Sequence, residues 1–333
     1  MRRREFITLL SGMLASTSLP WPPVARAQQP DRIRHIGWLE QGQADDPAVQ
    51  ARTAAVQQEL EKLGWVVGRN LQIDYRFGVI SFEMAQRLGA ELLNLSPDVI
   101  LCAGSPGVRA LKQATSTVPI VFILVAEPVD QGFVQSLAHP GGNITGLAYL
   151  ERTIGAKWLA LLTEMAPKVK RVAYIFSPKA APYAHFYYEA AQAAGAKMGV
   201  QIDINPVNEP PDIEPILAHL GADGGAIFNA DAFMNNNLKL AIDLAARYRV
   251  PAIYGSSAPA AKAGGLISYN LDQLAQFRQT APYLDRILRG EKPANLPIQQ
   301  PTAFQYIINL KTAKALDLNV PPDMLVAADE VIE

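Results

Sequence analysis

Residues 118–146, with the sequence VPIVFILVAEPVDQGFVQSLAHPGGNITG, decide the fold of this chain. The run of β-branched, aromatic and other apolar residues at 118–125 predicts a strand buried on both faces of a parallel sheet. We expect this strand to end at Glu127-Pro128, because proline lacks the N–H that a sheet ladder needs. The PGGN run at 140–143 then predicts a tight reversal before a new extended segment. The stretch therefore predicts one rim of a ligand cleft and the first crossing into a second α/β unit.

Upstream of this stretch, predicted strands and helices alternate. The patterns favour strands at 33–39, 71–75 and 99–102, and helices at 47–63, 81–93 and from Val108. Alternating elements joined by short loops indicate a doubly wound parallel sheet with right-handed crossovers.

Downstream, the same alternation is repeated, although no convincing sequence repeat accompanies it. Helices are expected at 154–165, 183–194, 213–220, 235–247, 271–289 and 310–316. Strands are expected at 171–176, 200–204, 225–228, 250–254, 265–269 and 304–310.

The predicted fold class is α/β, with two doubly wound parallel-sheet (Rossmann-like) lobes joined by a hinge of several crossings. We expect residues 31–146 and 270–301 to form the first lobe, and residues 147–269 and 302–333 to form the second. The crossings are expected near Gly146, Asn270 and Pro301, where a strand ends the pattern of one lobe.

Residues 1–27 are typical of a cleaved export signal. The arginines at 2–4 precede an apolar segment at 6–19, and the ARA run at 25–27 suits a cleavage site. The RREFI run at 3–7 fits a twin-arginine signal, and an ordinary Sec signal with an extra arginine is the alternative. Both alternatives predict a periplasmic protein.

The composition is that of a globular protein and excludes several function classes. With a net charge of -1 and 49% hydrophobic residues, the chain has no basic patch that would hold nucleic acid. No stretch predicts a membrane-spanning helix. About 300 residues follow the signal, enough for two domains of ordinary size. The one cysteine, Cys102, cannot form an internal disulfide.

In the first lobe, candidate ligand residues follow predicted strands, because α/β sheets bind ligands at the carboxyl ends of their strands. This position selects Gln41, Gly42, Gly104, Ser105 and Glu127. At Gly104 and Ser105 a strand leads into a helix, whose free N–H groups can hold a carboxylate. The alternative is a plain helix cap with Pro106 in the first turn. Glu127 can equally be a solvated charge at the rim.

In the second lobe, the same criterion selects Ser177, Asn229, Asp231, Tyr254 and Tyr269. Asp231 can cap the helix that follows it, pair with a ligand ammonium, or do both. Tyr254 can offer a ring face and a hydroxyl to a ligand, or be a half-buried tyrosine at a strand end.

The search for catalytic, cofactor and metal motifs finds none. The four histidines are scattered and have no metal-ligand spacing with one another or with Cys102. No Gly-x-Gly-x-x-Gly run follows a strand, and neither a phosphate-binding loop nor a nucleophile elbow is present. We therefore expect no cofactor, no metal and no enzymatic activity.

Several segments carry a resemblance to a known family. They are RHIGWL at 34–39, PDVI at 97–100, EPV at 127–129, HPGGNITG at 139–146, LISY at 266–269, DRILRG at 285–290, LP at 296–297, NLKTAKAL at 309–316 and ADEVIE at 328–333. The chain resembles the ABC transporter substrate-binding proteins encoded near tryptophan-type uptake systems, which are type I periplasmic binding proteins. Members usually carry Asp-Pro-Val where this chain has Glu127-Pro128-Val129, so the ligand does not carry over from the family.

The resemblance implies a monomeric receptor that captures a small molecule between two lobes and hands it to an ABC permease in the inner membrane. Characterised relatives resemble aromatic amino-acid binders. For an amino-acid ligand, we expect the carboxylate to meet the helix start at Ser105 and the ammonium to meet Asp231. The alternatives are a Rossmann-type enzyme and a ligand-sensing regulator. The missing cofactor fingerprint disfavours the enzyme, and the export signal and the lack of a helix-turn-helix module disfavour the regulator.

Overall fold

The computed structural model describes residues 32–79, 81–255 and 260–333. The export signal predicted at residues 1–27 lies outside the described residues. From Ile33 onward the chain folds into two sheets, each with helices on both faces. The predicted fold class, two parallel-sheet α/β lobes, is confirmed.

The first sheet has five parallel strands. In chain order, the first part of the chain contains β1 (Arg34–Leu39), α1 (Pro47–Lys62), β2 (Leu71–Arg76), α2 (Phe82–Asn94), β3 (Val99–Ala103), α3 (Ser105–Ala114), β4 (Ile120–Val125) and β5 (Ile144–Ala148). The strand order β2-β1-β3-β4-β5 starts at β1 and grows to both sides, as in a doubly wound sheet.

The second sheet has seven strands in the order β12-β11-β10-β9-β8-β6-β7. Its part of the chain contains α4 (Ile154–Met165), β6 (Arg171–Phe176), α5 (Ala184–Met198), β7 (Gln201–Pro206), α6 (Ile213–Ala218), β8 (Gly224–Phe228), α7 (Ala232–Asn236), α8 (Leu238–Arg247), β9 (Ala252–Tyr254) and β10 (Ile267–Leu271). Then follow α9 (Gln273–Arg278), α10 (Thr280–Leu288), β11 (Phe304–Asn309), α11 (Leu310–Ala315), α12 (Pro322–Ala327) and β12 (Glu330–Ile332). One departure from a parallel sheet is β11, which runs antiparallel to β10.

Each sheet buries apolar side chains on both faces, because successive residues of a strand point to opposite sides. In β3, Ile100 and Cys102 join the core under α2 and α3, while Leu101 joins the core under α1, α9 and α10. In β6, Ile175 packs toward α6 and α8, while Tyr174 packs toward α4 and α5. A fully buried side chain of this size contributes about 1.5–3 kcal/mol, so these cores hold each lobe together.

The chain passes between the two sheets more than once. After β10 in the second sheet, α9 and α10 return to the first lobe, where both pack on α1 and α10 also contacts β3, β4 and β5. A parallel bridge joins Leu147 to Gln299, and the Ala148 N–H donates to the Gln299 carbonyl at 2.9 Å. The segment that follows α10 therefore runs beside β5, although the two are far apart in sequence.

The predicted elements match the observed ones closely, with four differences. α3 begins at Ser105 rather than at Val108, because Gly104 adopts a φ of 84° and ends the strand abruptly. The helix expected at 235–247 begins at Ala232 and divides into α7 and α8, and the helix expected at 271–289 divides into α9 and α10. The sequence did not predict α12 or β12.

Within the described ranges, no helix is both long and apolar enough to cross a membrane.

Candidate ligand-binding site

A buried polar group in the second lobe is centred on Asp231. Asp231 follows β8 and caps α7, with Oδ1 accepting the Met234 N–H at 2.8 Å. Its Oδ2 accepts Asn229 Nδ2 at 3.1 Å and the Ser177 N–H at 3.3 Å. Asp231 is 3% exposed, and Asn229 and Ser177 are also buried. Three predicted site residues, from the ends of the neighbouring strands β6 and β8, thus form one hydrogen-bonded group.

The Asp231 carboxylate is buried among neutral partners. Burial raises its pKa to about 6, and the hydrogen bonds from Met234, Asn229 and Ser177 limit that rise. Among residues 32–79, 81–255 and 260–333, no Lys, Arg or His side chain forms an ion pair with it. Burial without a cation makes ionisation of this carboxyl less favourable than in water. The group is therefore suited to accept a positive charge from a ligand.

Tyrosine hydroxyls lie around this carboxylate. Tyr174 donates to Asn229 Oδ1 at 2.7 Å, and Tyr183 donates to the Ala230 carbonyl at 3.3 Å. Burial raises the pKa of both tyrosines, and the nearby Asp231 charge raises it further. Both hydroxyls therefore stay protonated at neutral pH, and each donates a hydrogen bond to a residue next to Asp231 or within two positions of it.

Tyr149 joins this group from the segment that follows β5. Its hydroxyl lies 3.3 Å from Asn270 Nδ2, and Asn270 also donates to the Gly255 carbonyl. Burial raises the pKa of Tyr149 to about 12, with a further contribution from the Asp231 charge. Two residues at proposed chain crossings, 121 positions apart, thus meet next to the Asp231 group.

Tyr254 and Tyr269 lie in other surroundings. The Tyr254 ring is 1% exposed and stacks on Phe228 with centroids 4.9 Å apart, in the core under α7 and α8. Tyr269 is half-buried and stacks on Phe304 with centroids 5.5 Å apart. The Lys157 ammonium lies 5.8 Å from the Tyr269 ring centre. The prediction that these two tyrosines bind ligand stays a prediction.

In the first lobe, Gln41 and Gly104 are brought together. Gly104 ends β3 and has no side chain, and the Gln41 amide lies directly over it, so that any Cβ at Gly104 would overlap Gln41. A Cβ at Gly42 would overlap Val49 in the same way. Gly104 therefore lets the Gln41 side chain lie against the loop after β3, while Gly42 lets the loop after β1 pack on α1.

Ser105 is buried in the first turn of α3. It is 4% exposed, and its Oγ accepts Gln131 Nε2 at 3.0 Å. The first turn of a helix leaves N–H groups without intrahelical partners and carries partial positive charge. Beyond β4, Glu127 is half-buried and accepts the Arg152 N–H at 3.1 Å.

The structure thus gathers seven of the ten predicted residues into two groups, one at each sheet, and leaves Glu127, Tyr254 and Tyr269 outside them. The first contains Gln41, Gly42, Gly104 and Ser105, and the second contains Ser177, Asn229 and Asp231. Sequence reasoning missed the residues around them, which are Glu40, Arg52, Gln131, Tyr149, Tyr183 and Asn270. No local sequence pattern indicates these residues, because most of their partners lie on other helices, strands or loops.

Two surface depressions lie away from these groups. One, of about 290 Å³, is lined by Arg171, Asp203 and His219 at the edge of the second sheet. The other, of about 380 Å³, lies between α1 and α9, near Lys62 and Arg278. No cluster of His, Cys, Asp and Glu among the described residues is arranged to hold a metal ion.

Two α/β units of this topology, between which the chain passes more than once, have the fold of the type I periplasmic binding proteins. Residues 43–332 match the family model described as ABC transporter substrate binding protein. This chain belongs to that family, and the resemblance seen in the sequence is confirmed. The family consists of extracytoplasmic substrate-binding proteins that bind small molecules and deliver them to ABC permeases, rather than of enzymes.

Characterised relatives agree with this assignment. A tyrosine-binding protein of Clostridioides difficile (strain R20291) is 22% identical over 261 residues, covering 78% of this chain and 74% of the relative. An ABC domain from Streptococcus pneumonia, solved in complex with L-Trp, has a TM-score of 0.80 at 21% identity, covering 90% of this chain and 99% of that chain. A conserved domain protein from Vibrio cholerae has a TM-score of 0.80 at 24% identity, covering 90% and 100%.

Proposed function

We propose that this chain captures an amino acid, most simply an aromatic one, and delivers it to an ABC permease in the inner membrane. The observation that carries the proposal is the Asp231 carboxylate, buried with neutral hydrogen-bond donors and without a cation among the described residues. A ligand ammonium supplies the missing positive charge. The Tyr149 and Tyr183 rings near Asp231 suit an aromatic side chain, because ring pairs add attraction beyond their buried area.

The first lobe holds the other end of the ligand. The N-terminus of α3 carries partial positive charge and offers backbone N–H groups beside the Ser105 hydroxyl. A ligand carboxylate is bound there, and the Gln41 amide over Gly104 lies close enough to donate to it. One lobe thus recognises the carboxylate and the other the ammonium, so both ends are satisfied only when the lobes close.

The names of two relatives support an aromatic ligand, since one is a tyrosine-binding protein and another was solved with L-Trp. The chain differs from those relatives at most positions, so the choice between the two amino acids is left to measurement.

The remaining parts of the proposal concern export and organisation. The protein is exported through the signal at residues 1–27, by the twin-arginine route, to the periplasm, where it acts as a monomer. The first lobe comprises residues 31–146 and 270–301, and the second comprises 147–269 and 302–333. β5 lies in the first sheet as far as Ala148, and β10 lies in the second sheet as far as Leu271, which supports crossings close to these boundaries.

Calorimetry with four probes tests the ligand class. L-tryptophan and L-tyrosine carry both charged groups, tryptamine lacks the carboxylate, and indole-3-propionate lacks the ammonium. We expect binding of at least one amino acid and a loss of about a hundredfold or more for both truncated probes, because each leaves a buried polar partner unmatched. Equal affinity for indole-3-propionate would contradict an ammonium at Asp231. Native mass spectrometry of the purified protein identifies a retained ligand if neither amino acid binds.

A further inference from the structure

A second buried carboxylate, Glu40, lies at the carboxyl end of β1. Its side chain is 0% exposed and accepts hydrogen bonds from four residues. Oε1 accepts the N–H groups of Gln41 at 2.9 Å and Gly42 at 3.2 Å. Oε2 accepts Trp38 Nε1 at 3.3 Å. Glu40 thus fixes the backbone of the Gln41–Gly42 loop and, through Trp38, ties it to the core.

Arg52 neutralises this carboxylate from α1. Its Nη2 lies 2.7 Å from Glu40 Oε1 and its Nε lies 3.3 Å from Oε2, a two-pronged contact that only arginine can make. The guanidinium lies 5.2 Å from the Phe277 ring centre. Phe277 stacks on Trp38 with centroids 6.1 Å apart. The ion pair is therefore sandwiched between the ligand loop and α9.

The loop that this pair fixes carries Gln41 over Gly104. Glu40 binds the backbone N–H groups of the loop and not the Gln41 side chain. It thereby fixes the backbone from which the Gln41 side-chain amide reaches over Gly104. Gly42 has room only for hydrogen at its Cα, because a Cβ would meet Val49 and Arg52. In the conformation in which the loop N–H groups bind the Glu40 carboxylate, the Gln41 side-chain amide covers Gly104 at the start of α3.

We propose that Glu40 and Arg52 are positioning residues of the ligand site, which act on ligand through Gln41 and link the loop to α9. This inference rests on the proposed function, in which Gln41 contacts the ligand carboxylate. Because the Arg52 guanidinium lies over Phe277, the pair also joins the ligand loop to α9, which follows the second proposed crossing.

A double-mutant cycle tests the action through Gln41. Glu40→Gln replaces one acceptor oxygen by an NH₂ group, which must face either the loop N–H groups or those of Trp38 and Arg52. We expect Glu40→Gln to weaken binding of L-tryptophan or L-tyrosine by about tenfold. In a Gln41→Ala background the same change should weaken binding less than about twofold. An equal loss in both backgrounds would overturn the proposal.

Hydrogen exchange tests the positioning without any ligand. We expect the amides of Gln41 and Gly42 to exchange about tenfold faster or more in Glu40→Gln and in Arg52→Lys, read from a peptide spanning residues 39–44. Unchanged exchange in both variants would overturn the inference even if the proposed ligands bind. If neither amino acid binds but exchange accelerates, the proposed ligand is wrong while Glu40 and Arg52 still position the loop.

A matched control separates positioning from general destabilisation. Glu91 forms an ion pair with Arg76 in the same lobe, at 2.7 Å, and is far more exposed. Glu91→Gln should leave both the affinity and the exchange of residues 39–44 unchanged. Circular dichroism verifies that each variant is folded. If Glu40→Gln does not fold, Arg52→Lys is used in its place, because it keeps the charge but loses the two-pronged contact.

Discussion

The backbone N–H of Arg152 donates a 3.1 Å hydrogen bond to the side chain of Glu127. Glu127 follows β4 of the first sheet and adopts a φ of 43°, which is uncommon for a residue with a side chain. The Arg152 guanidinium lies 3.6 Å from the same carboxylate, contacts Asp130, and lies 4.7 Å from the Phe186 ring centre on α5. This cluster joins the end of β4 to a helix on the second sheet, and we expect it to favour the closed state.

Replacement of Arg152 by Gln should weaken that closed state. The two carboxylates are partly exposed, so the contact is worth about 0.2–1 kcal/mol, and the dissociation rate of bound amino acid should rise by about 1.4-fold to fivefold. Chase of radiolabelled L-tryptophan with excess unlabelled ligand measures this rate. The control is Lys239→Gln, which removes an exposed ion pair with Asp243 on α8 and should leave the dissociation rate unchanged. An unaltered rate in Arg152→Gln would speak against the cluster as a determinant of closure.

Asp231→Ala should weaken amino-acid binding by about a hundredfold or more. Removing one partner of a buried charge pair costs about 3–5 kcal/mol. The substitution also removes the cap of α7, which is worth about 1 kcal/mol, so Asp231→Asn is the cleaner change because it keeps an acceptor. Asp46→Asn makes the same change at the exposed cap of α1 and serves as control. Unchanged affinity in a folded Asp231→Asn variant would remove Asp231 from the site.

The stability of the ligand-free protein should depend on pH through Asp231. Its pKa is about 6 in the folded protein against 3.8 ordinarily, so between these values the folded state holds a proton that the unfolded chain has released. Protonated Asp231 therefore contributes about 3 kcal/mol to the free energy of unfolding. This contribution is fully present below about pH 4 and is lost as pH rises through 6. We expect urea unfolding at pH 4 and 7.5 to show that the free energy of unfolding of Asp231→Asn, relative to that of the wild type, is higher at pH 7.5 than at pH 4. A constant difference would contradict the raised pKa.

Binding should show the opposite trend. An ammonium pairs with the ionised carboxylate, so affinity for L-tryptophan should fall as pH drops below about 6, by up to about tenfold per pH unit. Calorimetry between pH 4.5 and 8 measures the effect. In Asp231→Asn the affinity should be low and should not change over that interval.

The proposed crossings near Gly146, Asn270 and Pro301 should contain the hinge. Crystal structures with and without amino acid should superpose lobe by lobe, with backbone torsion changes confined to these three places. Asn270 bridges Tyr149 and Gly255 there, and Asn270→Ala should destabilise the protein by about 1–3 kcal/mol, because it leaves buried groups unpaired. A structure in which one lobe itself deforms would require other lobe boundaries.

Export should require the twin arginines. Arg3→Lys combined with Arg4→Lys should trap the precursor inside the cell, whereas a Sec signal tolerates both changes. Immunoblotting of periplasmic and cytoplasmic fractions distinguishes the two routes. Normal export of the double variant would favour Sec.

Local patterns predicted most of the fold. The bounds of α4 and β6 match the expected ones, because α4 has apolar residues at helical spacing and β6 is a short continuous apolar run. The position of Asp231 at a strand end and helix start was also visible from its neighbours. Tyr254 shows the limit of such reasoning, because the side chain of a tyrosine at a strand end can face the cleft or the core. Its stacking on Phe228 depends on the packing of the folded protein and not on local sequence.

Residues that meet across long sequence separations could not be found in the same way. Tyr149 and Asn270 lie on different crossings, and nothing in either neighbourhood indicates the other. Arg52 lies on α1 among polar residues, where a solvated charge is the ordinary interpretation. Its pairing with the buried Glu40 depends on the angle between β1 and α1, which periodicity does not report.

The return of α9 and α10 to the first sheet has a consequence for the order of folding. One face of that sheet receives Phe277 and Leu284 only after the ribosome has made more than a hundred further residues beyond β5. Such non-local contacts raise the contact order and delay the closing of the core. Until the second lobe has been almost wholly synthesised, α1 covers only part of that face, and the rest is exposed to chaperones and to aggregation.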